Sequence, residues 1–596
     1  MRYRDMMSKR RGWVWPGWIW STALLLFILI ACSSNSGTQA NKQGTTTQSA
    51  TGGTTIQCQS HSNNPVTLNV AYSSEKETWM KQVVPAFNQQ HISACDGPIK
   101  VVATPYGSGQ SMQEILDGTI QPDVWSPAGT VWISLMNTQW QAKHGTALIN
   151  TEANDNPSLV KSPIVIAMWK PQAEALGWPQ KAIGWSDISK LSTDVNGWAD
   201  YGHPEFGAFK FGHTNPEDSN SGLDAVIAMN YAAVNKTRDL TNADVNSAAA
   251  TSLVSDVESS VIHYGDSTGF FANEMFTNGP DYLSAAIMYE NLVVEANIPG
   301  QYPKLPYPVV SIYPKEGTFY SDHPYTILQH ASWMTPAKEA AATAFRNFLL
   351  SAPQQVEAEQ QGFRPANASV KLGAPLDSAH GVDLSQPQTL LQVPSANIAQ
   401  TVQNNWLNLR RPVDVDLVLD RSGSMNDTIG NSTKIDGAKS GLREFVNLMS
   451  NNDELGLTTF SDQEQQLTSI GLLGPKRSAV VSQINGITAA GSTKLYDTIA
   501  DEVKAIKAVS SKHIKAVVVL TDGDDTASST SLNQLLNQIR PDGINAGNGV
   551  KVFTIAYGSD ANTNALTQIA NTTGGQEYAG TPQNIKDVYN QISEFF

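Results

Sequence analysis

Apolar residues follow two rhythms along this chain. Short Val-, Ile- and Leu-rich runs alternate with stretches whose apolar residues recur every three or four positions. In the last third, residues 413–419 form a run that reads as a buried strand. Ile435, Ala438, Leu442, Phe445, Val446 and Met449 then recur at helical spacing. Residues 455–460 read as a strand, and Leu495, Ile499, Val503 and Ile506 line one helix face. Strands at 516–520 and 550–557 follow, and a helix from 585 closes the chain. This alternation predicts an α/β domain with a doubly wound, mostly parallel sheet.

The region before it alternates in the same way. Residues 66–72 and 100–106 read as strands, with a helix over 79–87 between them. Gly107-Ser108-Gly109-Gln110-Ser111 then leads into a helix containing Ile115 and Leu116, and 123–128 reads as a strand and its exit loop. A second polar loop, 214–222, precedes a helix over 223–233. Such turns at helix N-termini offer free N–H groups and the positive dipole end, which suits an anion. The apolar runs 162–169 and 325–328 are expected to cross between two lobes and back, giving a venus-flytrap shape. A helix over 396–409 and then Arg410-Arg411-Pro412 join the two regions. The joint holds little Gly or Ser and reads as stiff.

The N-terminus bears on location. Arg2, Arg4, Lys9, Arg10 and Arg11 precede an apolar run, about 13–31, which ends Leu29-Ile30-Ala31-Cys32-Ser33-Ser34. This is a signal peptide by its charged and apolar parts. An uncleaved membrane anchor is the alternative, because the run nears spanning length. Residues 33–55 are Ser, Thr, Gly, Gln and Asn with almost no apolar content, so they read as a flexible tether. Beyond Cys32 only Cys58 and Cys95 remain, and an even pair in an exported chain reads as a disulfide. The Leu-x-Ala-Cys ending resembles the lipobox of bacterial lipoproteins, which implies cleavage before Cys32 and its acylation. Lys9-Arg10-Arg11-Gly12-Trp13 faintly resembles a twin-arginine export signal.

The formal charge is −15, from 54 acidic and 39 basic residues. That argues against a nucleic-acid partner, which calls for a basic footprint. The 596 residues divide as signal peptide 1–31, lipidated Cys and tether 32–65, a two-lobed domain 66–395, a helical connection 396–411 and a final domain 412–596.

The chemistry concentrates in Asp420-Arg421-Ser422-Gly423-Ser424, at the C-terminal end of the strand over 413–419. One carboxylate and two hydroxyls there make an oxygen-only set suited to Mg²⁺. Thr493 precedes a helix, and Asp522 follows the strand over 516–520. Ligand sites of open α/β sheets gather outside the carboxyl ends of the strands, so these three loops are expected to meet. Residues 412–596 resemble a von Willebrand factor type A (VWA) domain with an intact metal-ion-dependent adhesion site. The resemblance implies Mg²⁺ or Mn²⁺ held by Asp420, Ser422, Ser424, Thr493 and Asp522, with an open position for a partner protein's carboxylate. Asp524 and Asp525 match no ligand position and read as a solvated acidic lip.

Residues 66–394 resemble bacterial extracellular solute-binding proteins of the molybdate- and sulfate-binding type. The resemblance rests on the loop 214–222 and on Gly362-Phe363-Arg364-Pro365-Ala366-Asn367. It implies a cleft lined by Ser108, Ser126, Ser219, Ser221 and Tyr289, taking a small solute or oxyanion. The function expected is that of a binding protein, exported and lipid-anchored to the outer face of the bacterial cytoplasmic membrane or the cell surface, which grips a protein partner through the metal site. The alternative is the solute receptor of an importer, with the VWA-like domain as a docking module. No G-x-S-x-G elbow, H-E-x-x-H helix, P-loop or catalytic-type Cys occurs, so an enzyme is not expected.

Overall fold

The structure is a computed structural model that describes residues 64–596, apart from 96, 153, 303–304, 431, 510–512, 542–548, 594 and 596. The signal peptide, Cys32, the tether and Cys58 lie outside the described residues, while Cys95 is disulfide-bonded. Among the described residues no helix is long and apolar enough to cross a membrane.

Twelve strands build the first two sheets: β1 (Val66–Ser73), β2 (Ser93–Ala94), β3 (Gly97–Tyr106), β4 (Val124–Ser126), β5 (Val160–Trp169), β6 (Phe211–Thr214), β7 (Val261–Gly265), β8 (Ala285–Tyr289), β9 (Val309–Ile312), β10 (Tyr320–Ser321), β11 (Thr326–Ile327) and β12 (Arg364–Pro365). The first lobe holds the order β11-β4-β1-β3-β2. The second holds β10-β5-β8-β6-β7, with β9 and β12 also pairing with β5. The strand expected to cross between lobes does so at its first residues: Leu159 and Val160 still pack in the first lobe's core with Val70 and Tyr325. Eight of the ten residues of β5 are continuously buried, because it sits inside the second sheet, pairing with β8 and β9 along Ile164–Trp169. The return crossing falls earlier than expected: Ser321 still pairs with Ser162 in the second lobe, and Thr326 already pairs with Trp125 in the first.

The helices around these sheets include α1 (Ser108–Asp117), α2 (Val131–His144), α3 (Asn220–Ala233) and α4 (Ala248–Glu258). A further helix, α5 (Ala396–Leu409), joins the two domains. It packs on α2, α3 and α4 with Ile398, Ala399, Val402 and Trp406 buried. Trp406 Nε1 donates to Glu258 Oε1 at 2.9 Å, and its ring meets His213 and Tyr264 edge-on. Gln403 Nε2 donates to the Pro216 carbonyl at 2.8 Å. The joint is thus a packed helix, continued into the last domain by the ion pair of Arg410 with Asp453 at 2.7 Å.

The last domain carries β13 (Val413–Asp420), the ribbon β14 (Thr428–Ile429) with β15 (Ser432–Thr433), β16 (Glu454–Phe460), β17 (Glu464–Thr468), β18 (Ile514–Thr521), β19 (Lys551–Tyr557) and β20 (Glu577–Gly580). Its sheet order is β17-β16-β13-β18-β19-β20, parallel except for the edge strand β17. Every residue of β13 is buried, as expected of a central parallel strand covered on both faces. One face meets Phe445 and Ala438 of α6 (Lys434–Leu448). The other meets Leu495, Ile499, Val503 and Ile506 of α7 (Leu495–Ala508).

Candidate functional site

Strand β13 ends in Asp420, and the chain turns there around Ser422 to Asn426, with Met425 fully buried as the anchor. Asp420 is buried, and both its oxygens are engaged: Oδ1 accepts from Ser422 N at 2.7 Å and Oδ2 from Thr521 Oγ1 at 2.6 Å. Ser422 Oγ lies 3.1 Å from Ser424 Oγ, which donates to Asp522 Oδ1 at 2.8 Å. Asp420, Ser422, Ser424 and Asp522 are therefore one hydrogen-bonded cluster at the carboxyl edge of the sheet. Asp522 is buried and Ser424 exposed, so the cluster opens to solvent on one side.

Thr493 arrives by a third loop. Gly423 N donates to the Gly491 carbonyl at 2.9 Å, and Ala490 N to the Arg421 carbonyl at 2.7 Å, so this loop lies along the first. Thr526 N donates to the Thr493 carbonyl at 2.8 Å, and Thr526 Oγ1 accepts from Thr493 N at 3.0 Å. Gly491 has φ +95°, and a Cβ there would meet the Asp462 carboxylate at 2.6 Å, so the turn needs glycine.

Two neighbours were missed. Lys434, the first residue of α6, is buried and donates Nζ to Asp522 Oδ2 at 2.7 Å, with Asp560 at 3.6 Å. At a helix N-terminus it reads in sequence as a solvated surface residue. Asp525 is not simply a solvated lip: its Oδ1 accepts from Leu495 N at 2.8 Å and so caps α7.

The donor set fits a hard divalent ion: two carboxylates and the hydroxyls of Ser422 and Ser424 meet there, with Thr493 held alongside and no sulfur or imidazole among them. Burial, with a smaller contribution from the Asp522 charge, pushes Asp420 up to about 6. Among the described residues, the Lys434 ammonium meets this negative charge through its ion pair with Asp522. Burial opposes ionisation of Lys434, but its bond to Asp522 outweighs that and raises its pKa.

The lobes touch directly: Gly109 N donates to the Asp218 carbonyl at 2.7 Å, Gly269 N to Ser74 Oγ at 3.0 Å, and Trp132 Nε1 to Asn220 Oδ1 at 3.1 Å. Ser108 Oγ accepts from Ala128 N, Ser219 pairs with Thr268, Ser221 bridges Thr214 and Thr268, and the Tyr289 hydroxyl accepts from Asn220. These four tie neighbouring segments to one another. Ser126 Oγ is buried without a partner among the described residues, as are Ser267 Oγ and His323 Nε2.

Beside them lies a buried ionic group that sequence reasoning passed over. Lys76 Nζ donates to the Ser126 carbonyl at 3.1 Å and lies 3.3 Å from His323 Nδ1, which is 3.0 Å from Glu75 Oε1. Burial favours a neutral Glu75, but the Lys76 charge and the His323 bond outweigh it and hold its pKa down at about 2. Burial lowers Lys76 to about 8 and raises Asp224, across the cleft, to about 8. The polar stretch Ser73-Ser74-Glu75-Lys76 directly after an apolar strand was the available signal.

Residues 68–364 match the family model of a bacterial extracellular solute-binding protein, and residues 414–593 that of a von Willebrand factor type A domain. Among curated proteins the chain is similar to inter alpha-trypsin inhibitor, heavy chain 4, of Mus musculus, at 24% identity over 194 residues. That match spans 30% of this chain and 20% of the relative. Among solved structures, the periplasmic binding protein AfuA from Actinobacillus pleuropneumoniae is 14% identical, over 57% of this chain and 98% of its own, with a TM-score of 0.41. A von Willebrand factor type A protein from Catenulispora acidiphila is 18% identical, over 31% of this chain and 42% of its own, with a TM-score of 0.27. The chain thus carries a solute-binding domain followed by a von Willebrand factor type A domain.

Proposed function

We propose that this is a non-catalytic binding protein of the cell exterior, which grips a protein partner through a Mg²⁺ or Mn²⁺ ion at the edge of its VWA domain. The observation that carries this reading is the cluster of Asp420, Ser422, Ser424 and Asp522, oxygen-only and open to solvent at Ser424. Ser422, Ser424 and Thr493 would hold the ion directly, with Asp420 and Asp522 beside it or through water. The ion would supply a Lewis-acid position for a partner's Asp or Glu. Acylation at Cys32 would tether the protein to the membrane.

The solute-binding domain would present this face and capture a small solute when its lobes part. Asp218, Asp224 and Asp266 in and beside the cleft, each raised in pKa by burial, and the Lys76 ammonium would be the polar groups that meet that solute. The test is a pull-down with the chain from Gln57 onward against extract of its own cells, in Mg²⁺, in chelator and with Asp420→Ala. A protein retained only by the intact site in Mg²⁺ supports the reading. Retention indifferent to metal and to Asp420 refutes it.

A further inference from the structure

Beneath the metal edge lies a second set of oxygens with no assigned task. Asp416 is fully buried in β13, four residues before Asp420, and among the described residues its carboxylate meets no donor except the carboxyl of Glu502, which can bond it only through a shared proton. Such an orphan is costly, because a buried charge needs a counter-charge or donors. Its neighbour is Glu502 of α7, also buried, which lies against Asp416 on one side and Glu464 of β17 on the other. Glu464 is exposed, so the three carboxylates run from the core to the surface.

Two further features are not acidic. Gly456 is the register partner of Asp416, and a Cβ there would lie 2.8 Å from Asp416 Oδ1, so the carboxylate occupies the space a side chain would fill. Thr458, two residues along the same strand, shows its side chain to the same face of the sheet. It is fully buried, and its Oγ1 has no partner either among the described residues. The nearest cation, Lys476, is committed elsewhere, donating to the carbonyls of Leu455 and Ser469. A proton shared between Asp416 and Glu502 would leave a net buried negative charge and Thr458 unpaired. One divalent ion would neutralise both acids and take the hydroxyl as a ligand.

We propose that Asp416, Glu502 and the Thr458 hydroxyl form a second, interior site for a hard divalent cation, Ca²⁺, entered past Glu464. Ca²⁺ suits it because it accepts irregular sets of oxygen ligands, carboxylates and neutral oxygens together. A nearby cluster of Asp414, Glu454 and His513 at the opposite end of the sheet is a weaker candidate. There the His513 ring is already bonded to Asp414 at 2.7 Å, and the Arg411 charge lies close by.

The experiment is calorimetric titration of the chelator-treated full chain with Ca²⁺, in an Asp420→Ala background that disables the outer site. One equivalent of Ca²⁺ is expected to bind and to raise the melting temperature. Asp416→Asn in the same background is expected to abolish that equivalent while still melting cooperatively, and Thr458→Val to weaken it about tenfold or more. Glu502→Gln gives a second check should Asp416→Asn fail to fold. The proposal is overturned if the Asp420→Ala chain binds no Ca²⁺. It is equally overturned if Asp416→Asn or Glu502→Gln raises the melting temperature without changing Ca²⁺ stoichiometry, since the two acids then share a proton.

Discussion

Replacing Lys434 by Met removes the one ammonium bonded to Asp522 and keeps the apolar stem. The bond is 2.7 Å long, and both side chains are nearly inaccessible. A hydrogen bond between charged groups contributes about 1.5–3 kcal/mol, and stripping one partner from a fully buried pair costs about 3–5 kcal/mol. Ser424, bonded to the same carboxylate, is exposed, so water reaches this edge and the lower range applies. Lys434→Met should therefore destabilise the metal-free protein by about 2–3 kcal/mol. For a unit of this size that lowers the melting temperature by about 5–10 °C. Mg²⁺ should do the opposite in the variant. It supplies the charge that Lys434 supplied, and it no longer has to displace an ammonium. At a hundredfold excess over Kd, binding returns about 2.7 kcal/mol, enough to restore wild-type melting. The assay is calorimetric melting with chelator and with Mg²⁺, together with a Mg²⁺ titration. Equal destabilisation in both conditions, with Mg²⁺ affinity unchanged or weaker, would mean that Lys434 orients Asp522 for the ion and does not stand in for it.

The packing sets three other outcomes. A Cβ on Gly109 would meet the Glu217 carbonyl at 1.9 Å, so Gly109→Ala should hold the lobes apart and increase the radius of gyration in small-angle scattering; an unchanged radius would mean that the loops yield instead. Burial and neighbouring Glu217 and Asp266 raise Asp218 to about 7, and burial with Asp322 raises Asp224 to about 8. Because the closed form binds these protons more tightly, closure should be strongest in acid and weaken as pH rises through about 7 to 8. Asp218→Asn with Asp224→Asn should flatten that profile in scattering, and a profile left intact would place the titration elsewhere. Trp406→Ala opens a hole where α5 meets Glu258, His213 and Tyr264 and should cost about 3–5 kcal/mol. Calorimetry should then resolve two melting transitions, and a single transition would show that α5 does not couple the domains.

The alternation of strands and helices was legible because each period is imposed by burial. β13 and β18 read as apolar runs since parallel strands are covered on both faces. Asp416 escaped notice within that run for the same reason: a lone acid among aliphatic residues says nothing of the Glu502 that faces it from a helix far along the chain. Lys434 and Asp525 were invisible as site residues because charge at a helix start is ordinary. The crossing strand was legible as a buried run, but uninterrupted apolarity marks burial and does not say at which residue the chain changes lobe. The cleft serines were legible as residues near the lobe contact, but hydroxyls that fasten segments and hydroxyls that hold a solute share one sequence signal.

The most direct measurement is Mn²⁺ binding by electron paramagnetic resonance, with Mn²⁺ in place of Mg²⁺ and in the Asp416→Asn background so that only the edge site is counted. One equivalent should bind, Mg²⁺ should displace it, and a Ser422→Ala/Ser424→Ala double variant that still melts cooperatively should bind none. If the double variant binds Mn²⁺ as tightly as its parent, the cluster at the end of β13 is not the metal site.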